Sequence, residues 1–149
     1  MLLDAPPSVG GERSGSMVKH IAAASLHSDA GQNDAMERTI AVSRDTVGSR
    51  GLYTSIVTTA PGARTEVHHH GECETSIYIL RGKARFYSGD DLRNIVIAGE
   101  GDFVYVPAFE VHVEENASDD ADLVVLLSRN CDGSVVHYVE GRLPERPAS

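Results

Sequence analysis

The sequence predicts an all-β fold, a sandwich or barrel built from short strands. From residue 39 onward, runs of five to eight residues rich in Val, Ile, Thr and Tyr alternate with breaks of Gly, Pro, Asp or Asn. Strands that recur at a spacing of about 8–12 residues between such breaks are typical of sandwiches and barrels. No helical period of useful length follows residue 40, which agrees with an all-β fold.

Ten strands and two terminal segments describe the expected organisation. The predicted strands lie at 39–43, 52–60, 64–70, 75–81, 84–88, 93–98, 102–106, 111–116, 122–128 and 134–138. Residues 1–16 are rich in Pro, Gly and Ser and predict a mobile tail, because they bury too little apolar area to offset their ordering entropy. Residues 17–26 could form a short helix, and Met17 could be the natural start. We therefore expect a flexible N-terminal segment (1–35), a β-barrel (36–140) and a C-terminal tail (141–149).

Composition limits the classes of partner. The chain has 149 residues with 13 Lys and Arg against 22 Asp and Glu, a formal net charge of −9. This length suits one domain, and the negative balance argues against a nucleic-acid partner. No stretch reaches the roughly 18 apolar residues that a membrane span needs. Two cysteines without a close pair, together with no basic and apolar leader, favour the cytoplasm.

Three consecutive histidines carry the strongest chemical signal. In an extended strand alternate side chains share a face, so His68 and His70 point one way and His69 the other. Two imidazoles on one face, followed closely by Glu72 and Glu74, form a metal-ligand pattern. Imidazole with one carboxylate suits Zn, Fe, Mn, Ni or Cu. We expect the remaining ligand to come from elsewhere in the chain.

The histidine run also resembles the first of two motifs of the cupin superfamily. That motif has Gly, five residues, His-x-His, three or four residues, Glu, and then Gly about six residues later. The matching residues here are Gly62, His68, His70, Glu74 and Gly82.

A second segment resembles the other cupin motif, in which Gly is followed by five residues, Pro-x-Gly, two residues, His, three residues and Asn. The matching residues here are Gly101, Pro107, His112 and Asn116. Phe109 stands where the motif has Gly, which predicts an altered turn or an aromatic wall at the pocket. The resemblance covers roughly residues 50–128, and the order and spacing of the two motifs make it specific.

The resemblance implies a double-stranded β-helix, or jelly roll, with one divalent metal ion (Fe, Zn, Mn or Ni) inside one mouth of the barrel. The ligands it implies are His68, His70, Glu74 and His112. One alternative stays open at the carboxylate. The count from His70 to Gly82 also fits a register that puts the ligand slot at Thr75, which would turn Glu74 outward unless a β-bulge intervenes. A site of three histidines, completed by water or substrate, is the rival, and Glu72 is a weaker substitute.

Other candidate residues have simpler expected roles. We expect Cys73 to be a small buried hydrophobe and Cys131 to have no chemical role. His69 is expected on the outer face. Arg64, Glu66 and Arg81 are candidates to line the pocket, but a surface position is the commoner outcome for such an arginine.

A mononuclear metal with open positions predicts a small metalloenzyme acting on a small organic molecule. Dioxygenase chemistry is slightly favoured over a Zn-dependent isomerase or lyase, and Glu66 and Tyr105 are catalytic candidates by position only. The alternative is a non-catalytic module that binds a metal or a small ligand. The resemblance also implies a homodimer, in which the strands near 39–43 and 52–60 could pair or be exchanged.

Overall fold

The computed structural model describes residues 17–132 and 135–148. The predicted mobile tail over 1–16 lies outside the described residues. Eleven strands are described, and in chain order, β1 to β11, they are His27–Ala30, Met36–Val42, Tyr53–Thr59, His68–His69, Thr75–Arg81, Lys83–Ser88, Asn94–Gly99, Phe103–Val106, His112–Asn116, Leu123–Arg129 and His137–Tyr138. The all-β expectation is therefore confirmed.

The strands form two antiparallel sheets that share one core. Sheet A has six strands in the order β1-β2-β3-β10-β5-β8, and sheet B has five in the order β11-β4-β9-β6-β7. Several neighbours in the sheets, such as β3 and β10 or β4 and β9, are distant in sequence, as in a jelly roll. The core contains Tyr53, Ile77, Ile79, Val106, Leu123, Val125 and Leu127 from sheet A, and Ala84, Phe86 and Ala98 from sheet B.

Strict alternation of side chains in β10 explains how sheet A builds this core. Leu123, Val125, Leu127 and Arg129 are buried, whereas the residues between them are half-buried. Each large apolar side chain that is fully buried stabilises the fold by about 1.5–3 kcal/mol. Truncating Phe86 on the opposite sheet to alanine would cost about 3–5 kcal/mol, because the space it leaves cannot fully collapse. This packing holds the two sheets, and therefore the strands that carry the histidines, in one arrangement.

The structure differs from the sequence prediction at the N-terminal side. β1 lies inside the segment 1–35 that was expected to be flexible, and it pairs with β2 of the same chain. The expected helix over 17–26 is reduced to a single 3₁₀ turn at Ala23–Ser25, which has no buried residue to anchor it. A short helix, α1, lies instead at Arg44–Val47, and the side chain of the preceding residue, Ser43, caps it in a capping box. Among the described residues, no helix has the length and apolarity that crossing a membrane requires. The homodimer stays a prediction.

The C-terminal segment packs along the outer face of sheet B. The amide of Val139 donates to the carbonyl of Val67 over 3.0 Å. Leu143 then packs against a small second core of Val67, Tyr87 and Val113. Farther along, the guanidinium of Arg146 forms an ion pair with Glu115, which is almost completely buried. Both faces of β9 are therefore covered, one by the barrel interior and one by this segment.

A disulfide joins Cys73 to Cys131, and the expectation of two unpaired cysteines was wrong. The cause is topological. Thr75 in β5 lies opposite Arg129 in the neighbouring antiparallel strand β10. Cys73 precedes Thr75 by two residues and Cys131 follows Arg129 by two, so antiparallel pairing brings the two cysteines together. The Cα atoms of the two cysteines are 5.6 Å apart although 58 positions separate them in the sequence. The cytoplasmic location predicted from the cysteine count stays a prediction.

Candidate metal centre

Three buried imidazoles converge where β4 and β9 pair. His68 lies directly opposite His112 in the antiparallel register, and His70 follows on the same face as His68. Their ring centroids are 4.3 Å apart for His68 and His112, and 4.8 Å apart for His68 and His70. The ring nitrogens that could bind a metal all lie within 4.8 Å of one another. This clustering confirms that the histidines from the two segments meet.

Backbone carbonyl groups orient all three rings in the same way. The Nδ1 atoms of His68, His70 and His112 lie 2.7, 2.7 and 2.9 Å from the carbonyl oxygens of Glu66, Val135 and Glu110, respectively. A carbonyl oxygen only accepts, so each Nδ1 carries the proton and each Nε2 presents a lone pair. Such anchoring of the far ring nitrogen is the usual support of a metal-binding histidine.

The Nε2 atom of His112 is the test of whether a metal fits here. It is buried and has no hydrogen-bond partner among the described residues. A buried polar atom without a partner is costly, and a metal ion would satisfy this lone pair. The corresponding atom of His68 accepts a hydrogen bond of 3.1 Å from the side-chain amide of Gln32, which would have to swing away to admit a metal. With that movement, the donor set fits a divalent ion.

Burial keeps His68 and His70 neutral, the form that binds a metal. Burial lowers the pKa of His68 to about 4. Burial and the nearby guanidinium of Arg129 lower the pKa of His70 to about 3. At neutral pH both rings therefore have a free lone pair, and no proton has to leave before a metal binds.

Glu114 supplies a carboxylate beside the imidazoles. It follows His112 by two positions on the same face of β9, and its carboxylate oxygen lies 3.8 Å from the Nε2 of His112. Burial disfavours the charged form of Glu114, but the facing His112 and the Arg129 guanidinium help to outweigh this effect, and the pKa of the carboxyl group is lowered. Three imidazoles and one ionised carboxylate form a donor set suited to a transition metal.

Comparisons with known proteins agree with this geometry. Residues 55–128 match the family model described as the cupin domain. The chain belongs to the cupin superfamily. No curated protein sequence matches this cupin.

Solved structures that resemble this cupin include oxalate decarboxylases. One, described for its substrate binding mode and reaction specificity switch, has a TM-score of 0.64 and 27% identity, and the match covers 74% of this chain and 30% of that chain. Another, described for the Mn(II) centres of the Bacillus subtilis enzyme, has a TM-score of 0.63 and 28% identity, covering 72% and 29%. This cupin thus spans less than a third of the length of either protein. The family match and the three-histidine cluster support a metal-dependent cupin with a site that fits a divalent ion.

Glu74, the carboxylate suggested by the cupin motif, lies away from the histidines. Its carboxylate is exposed and accepts hydrogen bonds from the Tyr105 hydroxyl (2.5 Å) and the Asn130 side-chain amide (2.9 Å). Thr75, the next residue, is buried instead, because side chains alternate along the strand. The structure therefore has the register in which Glu74 faces outward, and Glu114 occupies the place beside the imidazoles.

Glu66 and Tyr105, the two residues predicted as catalytic by position, do not belong to the cluster of three histidines. The side chain of Glu66 is exposed, and its part in the centre is the carbonyl oxygen that orients His68. Tyr105 lines a cleft of about 330 Å³ between β7 and β8 that reaches His112. The hydroxyl of Tyr105 donates to Glu74, and this hydrogen bond raises the pKa of the phenol, which disfavours a role as a base.

Phe109 keeps the turn of the cupin motif although it replaces a glycine. Its φ is 61°, in the left-handed region that glycine usually occupies. The backbone therefore does not show the altered turn that the sequence predicted. The amide of Phe109 donates to the carbonyl of Gly71 over 2.7 Å, which ties the turn to the end of the His-x-His segment. The ring is exposed and lies 6.2 Å from the outward-facing His69, outside the cavities beside the metal centre.

The pocket arginine is Arg129, which the sequence analysis did not identify. Of the proposed candidates, Arg81 is exposed, and Arg64 donates to the carbonyl of Pro144 in the C-terminal segment. Arg129 is 4% exposed, and its guanidinium carbon lies 5.9 Å from the ring centroid of Tyr53. Counting every second residue from the buried Leu123 would have placed Arg129 inside the barrel. Counting in the same way from His112 would have placed Glu114 there.

Proposed function

We propose that this cupin is a mononuclear metalloenzyme that acts on a small organic molecule, with His68, His70, His112 and Glu114 as its metal ligands. The observation that carries the proposal is the convergence of three ring nitrogens, each fixed by a carbonyl behind it and one of them buried without a partner. A site of purely structural histidines would be expected to have hydrogen-bond partners on both ring nitrogens.

The residues of the centre would hold the metal and leave room beside it. The three anchored rings fix the direction of three ligand bonds, and Glu114 contributes one negative charge, so a divalent ion keeps a net positive charge. Four protein ligands leave one position of a five-coordinate ion, or two positions of a six-coordinate ion, for substrate or water. The cleft at His112 and an interior cavity at His70 and Glu114 provide space next to the centre.

Dioxygenase chemistry is the reaction that we propose first. A redox-active divalent metal would supply the electron transfer that such a reaction requires. The protein would contribute a site of mostly buried ligands, which limits the access of water to the reacting molecule. A metal-dependent lyase, such as a decarboxylase, is the second candidate, and the structural similarity to oxalate decarboxylases favours it.

The experiment combines metal analysis with two assays of turnover. The full chain is purified without chelators, its metal content is measured, and it is reloaded separately with Fe(II), Mn(II) and Zn(II). Oxygen uptake with phenolic and keto-acid substrates would support the dioxygenase, whereas oxygen-independent release of carbon dioxide from a small organic acid would support the lyase. Stoichiometric metal without any turnover would favour the non-catalytic binding module.

A matched pair of histidine variants makes the metal assignment specific. His112→Ala removes the ring nitrogen that lacks a partner, and we expect it to reduce metal occupancy by at least about tenfold. His69→Ala removes a neighbouring histidine whose ring stacks on His137 on the outer side, and we expect its metal content to match that of the wild type. Equal metal content in both variants would remove His112 from the site.

A further inference from the structure

An interior cavity next to the metal centre is lined by polar side chains, and metal binding alone does not explain why they are there. The cavity has a volume of about 40 Å³, and His70 and Glu114 form the side nearest the metal ligands. That volume holds about three water molecules or one small polar group. Besides Arg38, four further polar side chains line it, namely Gln32, Tyr53, Ser55 and Arg129.

Three of these side chains have buried polar atoms without partners. The Tyr53 hydroxyl, the Ser55 hydroxyl and the side-chain oxygen of Gln32 have no hydrogen-bond partner among the described residues. Tyr53 is 2% exposed and Ser55 is 0% exposed, so neither reaches bulk water. Buried hydroxyls normally find a partner in the protein or in ordered water. Their joint lack of a protein partner around a single cavity indicates that the partner occupies the cavity, either as a bound ligand or as water that a ligand would displace.

The fourth side chain gives the site its charge. Arg129 donates from Nε to the Thr75 hydroxyl over 3.1 Å, and within the described part of the chain this is the hydrogen bond that its guanidinium makes. The outer nitrogens of the guanidinium therefore have donors left. A guanidinium with two free N–H groups in one plane matches the two oxygens of a carboxylate.

The charges around the cavity favour an anion once a metal is bound. Glu114 and a divalent ion together carry a charge of +1, and Arg129 adds another positive charge beside them. Arg38, which also lines the cavity, is already paired with Asp29 at 3.2 Å. Metal binding at His68 would also displace the amide of Gln32, which becomes an additional donor for a ligand.

We propose that Arg129, Tyr53, Ser55 and Gln32 form a carboxylate subsite that holds one carboxylate group of a small ligand while the rest of the ligand reaches the metal. The assignment to the substrate rests on the proposed function. The anion contact itself depends on Arg129 and can be measured with or without metal. The substrate class that follows is a small organic acid with a second oxygen donor next to its carboxylate.

Calorimetric titration with oxalate and its neutral isostere oxamide tests the subsite. The full chain is titrated both in its Mn(II)-loaded form and free of metal. We expect oxalate to bind the loaded protein and oxamide to bind at least tenfold more weakly. Arg129→Met should weaken oxalate binding at least tenfold in either metal state, with metal content unchanged. The matched control is Arg81→Met, which removes an exposed arginine from the neighbouring strand β5 and should bind like the wild type.

Two conservative variants separate ligand binding from a structural role. Tyr53→Phe and Ser55→Ala each remove a buried hydroxyl that has no partner. Without ligand, both variants should melt at the same temperature as the wild type or higher, because an unsatisfied group has been removed. Their affinity for oxalate should nevertheless fall severalfold. A purely structural hydroxyl would lower the melting temperature and leave the affinity unchanged.

The outcomes distinguish the subsite from the metal proposal. If the protein takes up no metal but Arg129→Met still abolishes oxalate binding to the metal-free chain, the proposed function fails and the subsite stands. If Arg129→Met binds oxalate like the wild type, or the wild type binds oxalate and oxamide equally in both states, the subsite is overturned. Should Arg129→Met fail to fold, Arg129→Lys, which keeps the charge without the paired donors, and Tyr53→Phe decide the question by the same comparison.

Discussion

The Nε2 atom of His112 and a carboxylate oxygen of Glu114 lie 3.8 Å apart, on the same face of one strand. Val113, the residue between them, points to the opposite face and belongs to the small core under the C-terminal segment. A single strand thus contributes an imidazole and a carboxylate to the centre, while its other face is anchored in apolar packing.

Glutamine substitutions distinguish this carboxylate from the one in the cupin motif. Glu114→Gln removes the charge beside the three imidazoles, and we expect metal affinity to fall at least about tenfold. Glu74→Gln changes an exposed carboxylate that bonds to Tyr105 and Asn130, and its metal affinity should match the wild type. Competition with a chromogenic chelator measures both. A loss confined to Glu74→Gln would return the ligand role to the motif position.

The histidine cluster was predictable because strand geometry alone places His68 and His70 on one face, and the spacing of the second motif adds His112. Glu114 and Arg129 lie in predicted strands, but which face of each strand points inward depends on the position of neighbouring strands. For β9 both faces are largely buried, so alternation of polar and apolar residues is absent and only the inward position of His112 sets the phase.

The strand β1 and the disulfide were missed for a related physical reason. β1 (His27–Ala30) is polar and short, and it exists because β2 offers an edge with which it can pair. Cys73 and Cys131 meet only because β5 and β10 are neighbours in the sheet. Both features are consequences of topology, which short-range sequence patterns do not contain.

Loss of the disulfide should destabilise the protein without emptying the metal site. The bond closes a loop of 58 residues, and chain entropy predicts a contribution of about 4 kcal/mol. Denaturant unfolding with and without a reducing agent measures it. The double variant Cys73→Ser and Cys131→Ser should show the same loss and no further response to reductant. Equal stability in all four conditions would mean that the cysteines are not joined in solution.

Glycine and alanine at position 109 should differ in stability. Phe109 has a φ of 61°, where a side chain with a Cβ atom is strained and glycine is not. Phe109→Gly and Phe109→Ala both remove the ring, so their difference reports the backbone alone. We expect the glycine variant to be more stable by about 1 kcal/mol in thermal or denaturant unfolding. An alanine variant as stable as the glycine variant would show that the turn relaxes out of the left-handed region.

The ion-pair cluster on the outer face of β9 should make stability depend on pH in acid. Burial disfavours ionisation of Glu115, but hydrogen bonds from Tyr87 (2.5 Å), Arg146 and Arg85 (3.1 Å) outweigh it and lower the pKa of the carboxyl group. The folded state therefore holds the proton less tightly than the unfolded chain, so its stabilisation is complete above the ordinary value of 4.5 and is lost as the pH falls below that value.

Glu115→Gln is the direct test of this dependence. It leaves Arg85 half-buried without its anionic partner, and at pH 7 we expect it to cost about 3 kcal/mol of unfolding free energy. The difference from the wild type should shrink as the pH falls below 4.5, because the wild type then loses the same charge. The exposed Glu37→Gln serves as the matched control and should track the wild type throughout. A Glu115→Gln deficit that stays constant down to pH 3 would place the acid sensitivity of the protein elsewhere.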